Sequence, residues 1–156
     1  MKINNIENVL RESLNDLNLA RNHLDYSYGQ IATLPQEMAH FSPDQLESVE
    51  AFTSRFARVV DLLVNKVLRA LDRLELLPQG SLLDVINRAE KRLFVKSSVT
   101  LREMKEVRNI IAHDYTGEKT SELLLYCSEQ KLTLDEICDK THAYAKQLLD
   151  NMKSPE

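Results

Sequence analysis

Apolar residues recur at Ile6, Leu10, Leu14, Leu17, Leu24 and Ile31, with Ala20 between them. This is the three-and-four spacing of one helix face, and it stops ahead of Pro35. A polar connection through His40 and Phe41 follows. Ser42, Pro43 and Gln45 then supply an N-cap, a proline at the first helical position and the glutamine of a capping box. Beyond them Val49, Phe52, Phe56, Val59, Leu63, Val67, Ala70 and Leu74 form a second stripe, which ends before Pro78 and Gly80. Two long helices joined by a short loop are expected to pack antiparallel, as half of a bundle.

Ser81 is placed to cap a shorter helix running to about Phe94 or Val95. Thr100 and Glu103 have capping-box spacing, which predicts that the next helix starts there. That helix should run out near Asp114, where Tyr115-Thr116-Gly117 gives a C-terminal glycine signal. The segment from Ser121 to Ser128 has helical character. Thr133 to Glu136 resembles the cap of a last helix, with Leu134, Ile137, Thr141, Tyr144 and Leu148 on one face. The expectation is an all-α, single-domain bundle of five or six helices over residues 1–156, without repeats or low-complexity segments.

Composition agrees. A chain of 156 residues suits one hydrophobic core, and three glycines, four prolines and no tryptophan fit a helical protein. No window approaches eighteen consecutive apolar residues, so no membrane span is expected. The first residues lack the apolar region of a secretory signal, which makes the cytoplasm the expected location. Cys127 and Cys138 are expected as reduced, partly buried thiols rather than a disulfide. Cys138 and His142 lie four apart, but no second pair with ligand spacing accompanies them, so no metal site is expected.

A formal charge of −4 argues against a basic coat for non-specific nucleic-acid binding. The charge is uneven, however. Residues 91–108 hold Lys91, Arg92, Lys96, Arg102, Lys105 and Arg108 against Glu103 and Glu106, and residues 114–156 hold nine acids against five lysines. The basic segment either builds a positive site leading to residue 108 or forms a solvated face of mixed charge.

The segment from Arg108 to Tyr115 concentrates the chemistry: Arg108, Asn109, His113 and Tyr115 fall within about two helical turns. Arg108 and His113 are about 140° apart around a straight helix, so one helix does not stack them. A symmetric dimer would bring two copies of the segment into one cleft. Such a cleft suits metal-independent cleavage of RNA. A histidine takes the proton of a ribose 2′-OH or protonates the leaving 5′-oxygen, and an arginine holds the phosphate as its charge builds. Asn109 is placed to orient either group. Attack by the 2′-OH excludes DNA, and beyond Asp114 no acidic cluster near the segment serves a divalent ion. Taken singly, His113 is equally a C-terminal histidine favoured by the helix dipole, and Arg108 a surface arginine.

Arg108, polar Asn109, His113 and Tyr115, late in an all-helical chain, resemble the Arg-x4-His-x-Tyr signature of HepT-like members of the HEPN superfamily. The resemblance implies a helical bundle that works as a homodimeric endoribonuclease toxin without cofactor or metal. It implies catalytic roles for Arg108 and His113 and a supporting role for Asn109. It also implies an MNT-family nucleotidyltransferase antitoxin as partner, which uses ATP to place AMP on Tyr115 and silence the nuclease. The rivals are a non-catalytic subunit that binds a nucleotide or substrate for the nucleotidyltransferase, and a purely structural dimer. The sequence does not say which partner is toxic.

Overall fold

The computed structural model describes residues 2–153, so Met1 and residues 154–156 of the expected domain lie outside the described residues. No strand occurs among the described residues. Helix α1 spans Lys2–Ile31, and Leu10, Leu14, Leu17, Ala20 and Leu24 of its stripe are buried. A short 3₁₀ turn at Met38–His40 leads to α2, Pro43–Asp61. Its capping box is fully formed: Gln45 N–H donates to Ser42 Oγ at 3.2 Å, and Ser42 N–H donates to Gln45 Oε1 at 2.8 Å.

The rod begun by α2 continues through a π-helical segment, Leu62–Leu68, into α3, Arg69–Leu74. With α1 it forms the expected antiparallel pair. Arg55 on α2 ties the two together, donating to the His23 carbonyl at 3.2 Å and to Ser27 Oγ at 2.7 Å. Phe52, Phe56, Leu63 and Leu71 meet the α1 stripe in a core sealed from water.

Ser81 caps α4, Leu82–Lys91, through reciprocal bonds with Asp84. This helix stops short of Phe94 because Leu93 turns left-handed, with φ 67°. The backbone then closes a Schellman motif, Phe94 N–H donating to Ala89 O and Leu93 N–H to Glu90 O. Leu76 does the same after α3, with φ 61°. Phe94 and Val95 are still buried, as part of the connection.

Helix α5 spans Ser98–His113 and α6 spans Thr120–Lys153. Two expectations are corrected here. The N-cap of α5 is Ser97, whose Oγ accepts from Val99 N–H, so Thr100 lies inside the helix rather than capping it. The expected break near Thr133 is absent, and α6 runs unbroken for 34 residues. Neither glycine nor proline interrupts 120–153, and Cys127, Leu134, Ile137, Cys138 and Thr141 keep one buried stripe across the junction. Glu136 pairs with Lys140 at 3.0 Å instead of closing a capping box on Thr133, and Asp135 beside it holds Lys131 at 2.6 Å and Arg21 at 3.5 Å. Among the described residues, no helix is long and apolar enough to cross a membrane.

Candidate functional site at the end of α5

Leu101 and Met104 face the core from α5. Arg108 follows Met104 by four residues and therefore leans toward α2, whereas His113 follows it by nine and points away. The contacts obey this geometry. Arg108 Nε donates to Asp61 Oδ2 at 2.7 Å, and Lys105 Nζ donates to Asp61 Oδ1 at 2.7 Å. Arg108 Nη1 reaches Asn109 Oδ1 at 3.3 Å, and Nη2 has no hydrogen-bond partner among the described residues. The Arg108 side chain keeps 32% of its surface exposed, enough to meet a ligand without leaving Asp61.

His113 is the last residue of α5 and is exposed. Asp114 leaves the helical conformation, and Tyr115 N–H folds back to His113 O at 3.1 Å. This turn sets the two rings edge to face, 6.2 Å between centroids, with His113 Nδ1 3.4 Å from the Tyr115 hydroxyl. Tyr115 is 87% exposed, so its hydroxyl is open to chemistry from solution. Gly117, with φ 73°, turns the chain into α6, and its carbonyl accepts from Thr120 Oγ1 at 2.7 Å.

Asn109, His113 and Tyr115 line an open cavity of about 450 Å³, with Ile110 as an apolar wall. Three of the four motif residues are thus brought together, and the fourth is not. Arg108 stands beside the cavity, joined to it through Asn109. Two lining or supporting residues were missed by sequence reasoning. Lys119 adds a cation to the cavity from the loop after α5, and only its nearness to the motif marked it. Asp61 had a clearer signal: it is the one charged residue within the apolar run Val59 to Val64.

The basic segment does not build a continuous positive surface. Arg92 is matched by Asp72 at 2.7 Å and Glu75 at 2.8 Å, while Lys105 and Arg108 share Asp61. Lys91, Lys96 and Arg102 remain without an ion pair among the described residues. Asp61, Asp72 and Glu75 thus engage three of the six cations of the segment.

Cys127 and Cys138 are both buried and free, and burial pushes each thiol up to about 12. Eleven residues apart on one helix, they are separated by about 16 Å, beyond the reach of a disulfide. Among the described residues, no three His, Cys, Asp or Glu side chains gather as a metal-binding group. Comparison with protein-family models, curated proteins and solved structures gives no match to this chain.

Proposed function

We propose that the chain is a metal-independent endoribonuclease that works as a cytoplasmic homodimer. The observation that carries this reading is the cavity at the end of α5, where exposed His113 and Tyr115 meet Asn109, with Arg108 Nη2 uncommitted beside it. His113 accepts the proton of a ribose 2′-OH as that oxygen attacks the adjacent phosphorus. The bond from phosphorus to the 5′-oxygen breaks, leaving a 2′,3′-cyclic phosphate. A histidinium, supplied by the second copy of the motif, returns a proton to the departing 5′-oxygen. Arg108 and Lys119 offset the charge on the phosphate oxygens.

The outward face of α5 is free to meet a second copy, which is why the dimer belongs to the proposal. In the same reading, a nucleotidyltransferase partner regulates this toxin by adding AMP to Tyr115. The modification would attach a bulky anion to the hydroxyl oxygen that lies 3.4 Å from His113 Nδ1, crowding the space that substrate phosphate must enter.

One observation favours a second reading, a non-catalytic binding subunit of such a transferase. Arg108 is held by Asp61 and does not line the cavity. End-group analysis of RNA incubated with the purified chain in EDTA separates the two. Fragments ending in 2′,3′-cyclic phosphate support the nuclease. Intact RNA at every protein concentration, with Tyr115 verified as unmodified, leaves the binding subunit.

A further inference from the structure

A second cavity opens between α1 and α6, with a volume of about 400 Å³. From Lys119 to His142 along α6 is about 35 Å at the rise of a helix, so this cavity is remote from the motif. Arg11 and Asn15 reach it from α1, and His142, Lys146 and Lys153 reach it from α6. Lys146 and Lys153 are seven residues apart and share one helix face.

None of these three cations has an ion-pair partner among the described residues. Arg21, Arg92, Lys105, Arg108 and Lys131 each hold a carboxylate between helices, whereas Arg55 is satisfied by the His23 carbonyl and Ser27 Oγ. Arg11 is half-buried and Lys146 and Lys153 are exposed, so all three stay open to a ligand from solution. Asp150 is the one carboxylate lining the cavity. Among the lining residues three cations face one acid, in a chain whose net charge is −4.

His142 adds a directed donor. Its Nδ1 is buried without any hydrogen-bond partner. With Nδ1 enclosed, Nε2 is the ring nitrogen that can donate to a ligand. Leu14 and Leu149, 5% and 4% exposed, give the cavity an apolar floor.

We propose that this cavity binds the oligophosphate group of a small phosphorylated molecule. A singly charged ligand would leave part of the positive charge unmatched. An extended nucleic-acid backbone is followed by cations spaced along a groove, whereas these are gathered in one cavity. The apolar floor accepts the uncharged remainder of a ligand such as a nucleoside triphosphate.

The test is calorimetric titration of the full chain at low salt with sodium tripolyphosphate, ATP and adenosine. Tripolyphosphate and ATP are expected to saturate one site per chain, while adenosine does not bind. Tighter binding of ATP than of tripolyphosphate identifies a nucleotide as the better occupant, and equal binding identifies the oligophosphate alone. Arg11→Ala and Lys146→Ala should each weaken binding about tenfold, the loss of one charge-assisted contact. Arg11→Lys should retain most of it, a control against altered folding. Absence of saturation at millimolar ligand overturns the proposal, as does binding that both alanine variants leave unchanged. Preference for a single-stranded RNA oligonucleotide over tripolyphosphate, lost in the same variants, would also overturn it in favour of a nucleic-acid path. None of these outcomes depends on RNA cleavage.

Discussion

Arg108 Nε donates to Asp61 Oδ2 at 2.7 Å, joining the motif helix to the point where α2 passes into its π-helical segment. Lys105 takes the other oxygen of the same carboxylate, so one acid holds two cations and a local positive charge survives. The bond leaves Arg108 Nη2 free and fixes the direction in which it points. Asp61→Asn should therefore reduce RNA cleavage about tenfold by loosening Arg108, and lower stability by about 1 kcal/mol because Lys105 loses its partner. Cleavage kinetics and a denaturant melt read the two effects separately. Faster cleavage would show that Asp61 restrains the arginine rather than positions it.

The left-handed residues Leu76 and Leu93 are costly choices for helix C-termini. A side chain in that conformation costs about 1–2 kcal/mol, of which glycine's extra freedom in the unfolded chain returns about 0.5–1. Both leucines are largely exposed, 85% and 77%, so their replacement loses little packing. Leu76→Gly and Leu93→Gly should each raise the melting temperature by about 2 °C. A fall in either would mean that the leucine packs more than its exposure implies.

The same two positions show why some boundaries were not legible in the sequence. Capping side chains at Ser42 and Ser81 announced their helices, because a hydroxyl and a carboxyl or amide three residues apart state the bond they make. Leu93 announces nothing: the Schellman turn is made by backbone alone. Thr133 and Glu136 misled for the opposite reason, since an acid three residues after a threonine is equally half of a capping box and the partner of a lysine one turn on, here Lys140 at 3.0 Å. At the site, helix periodicity sufficed to separate Arg108 from His113. The engagement of Arg108 by Asp61 needed the tertiary fold, because the two are 47 residues apart.

Burial of Cys127 and Cys138 makes stability depend on alkaline pH. Each thiol is raised from 9.0 to about 12. Between those values the unfolded chain releases protons that the folded chain keeps. The contribution is therefore complete below pH 9 and is lost as pH rises toward 12, at about 1 kcal/mol per thiol by pH 10. The stability of the wild type relative to the Cys127→Ala/Cys138→Ala double variant should fall between about pH 8 and about pH 10. Thermal melts of both proteins check this, and a constant difference would show that the thiols ionise freely in the folded state.

The nuclease reading stands most directly on the rate of RNA cleavage in EDTA by the wild type, Arg108→Ala and His113→Ala, with Tyr115 unmodified and the oligomeric state followed in parallel. Cleavage by the wild-type dimer, reduced about 100-fold or more in each variant while the dimer persists, is the predicted result. No cleavage by the wild type, or cleavage that both variants retain, would contradict it.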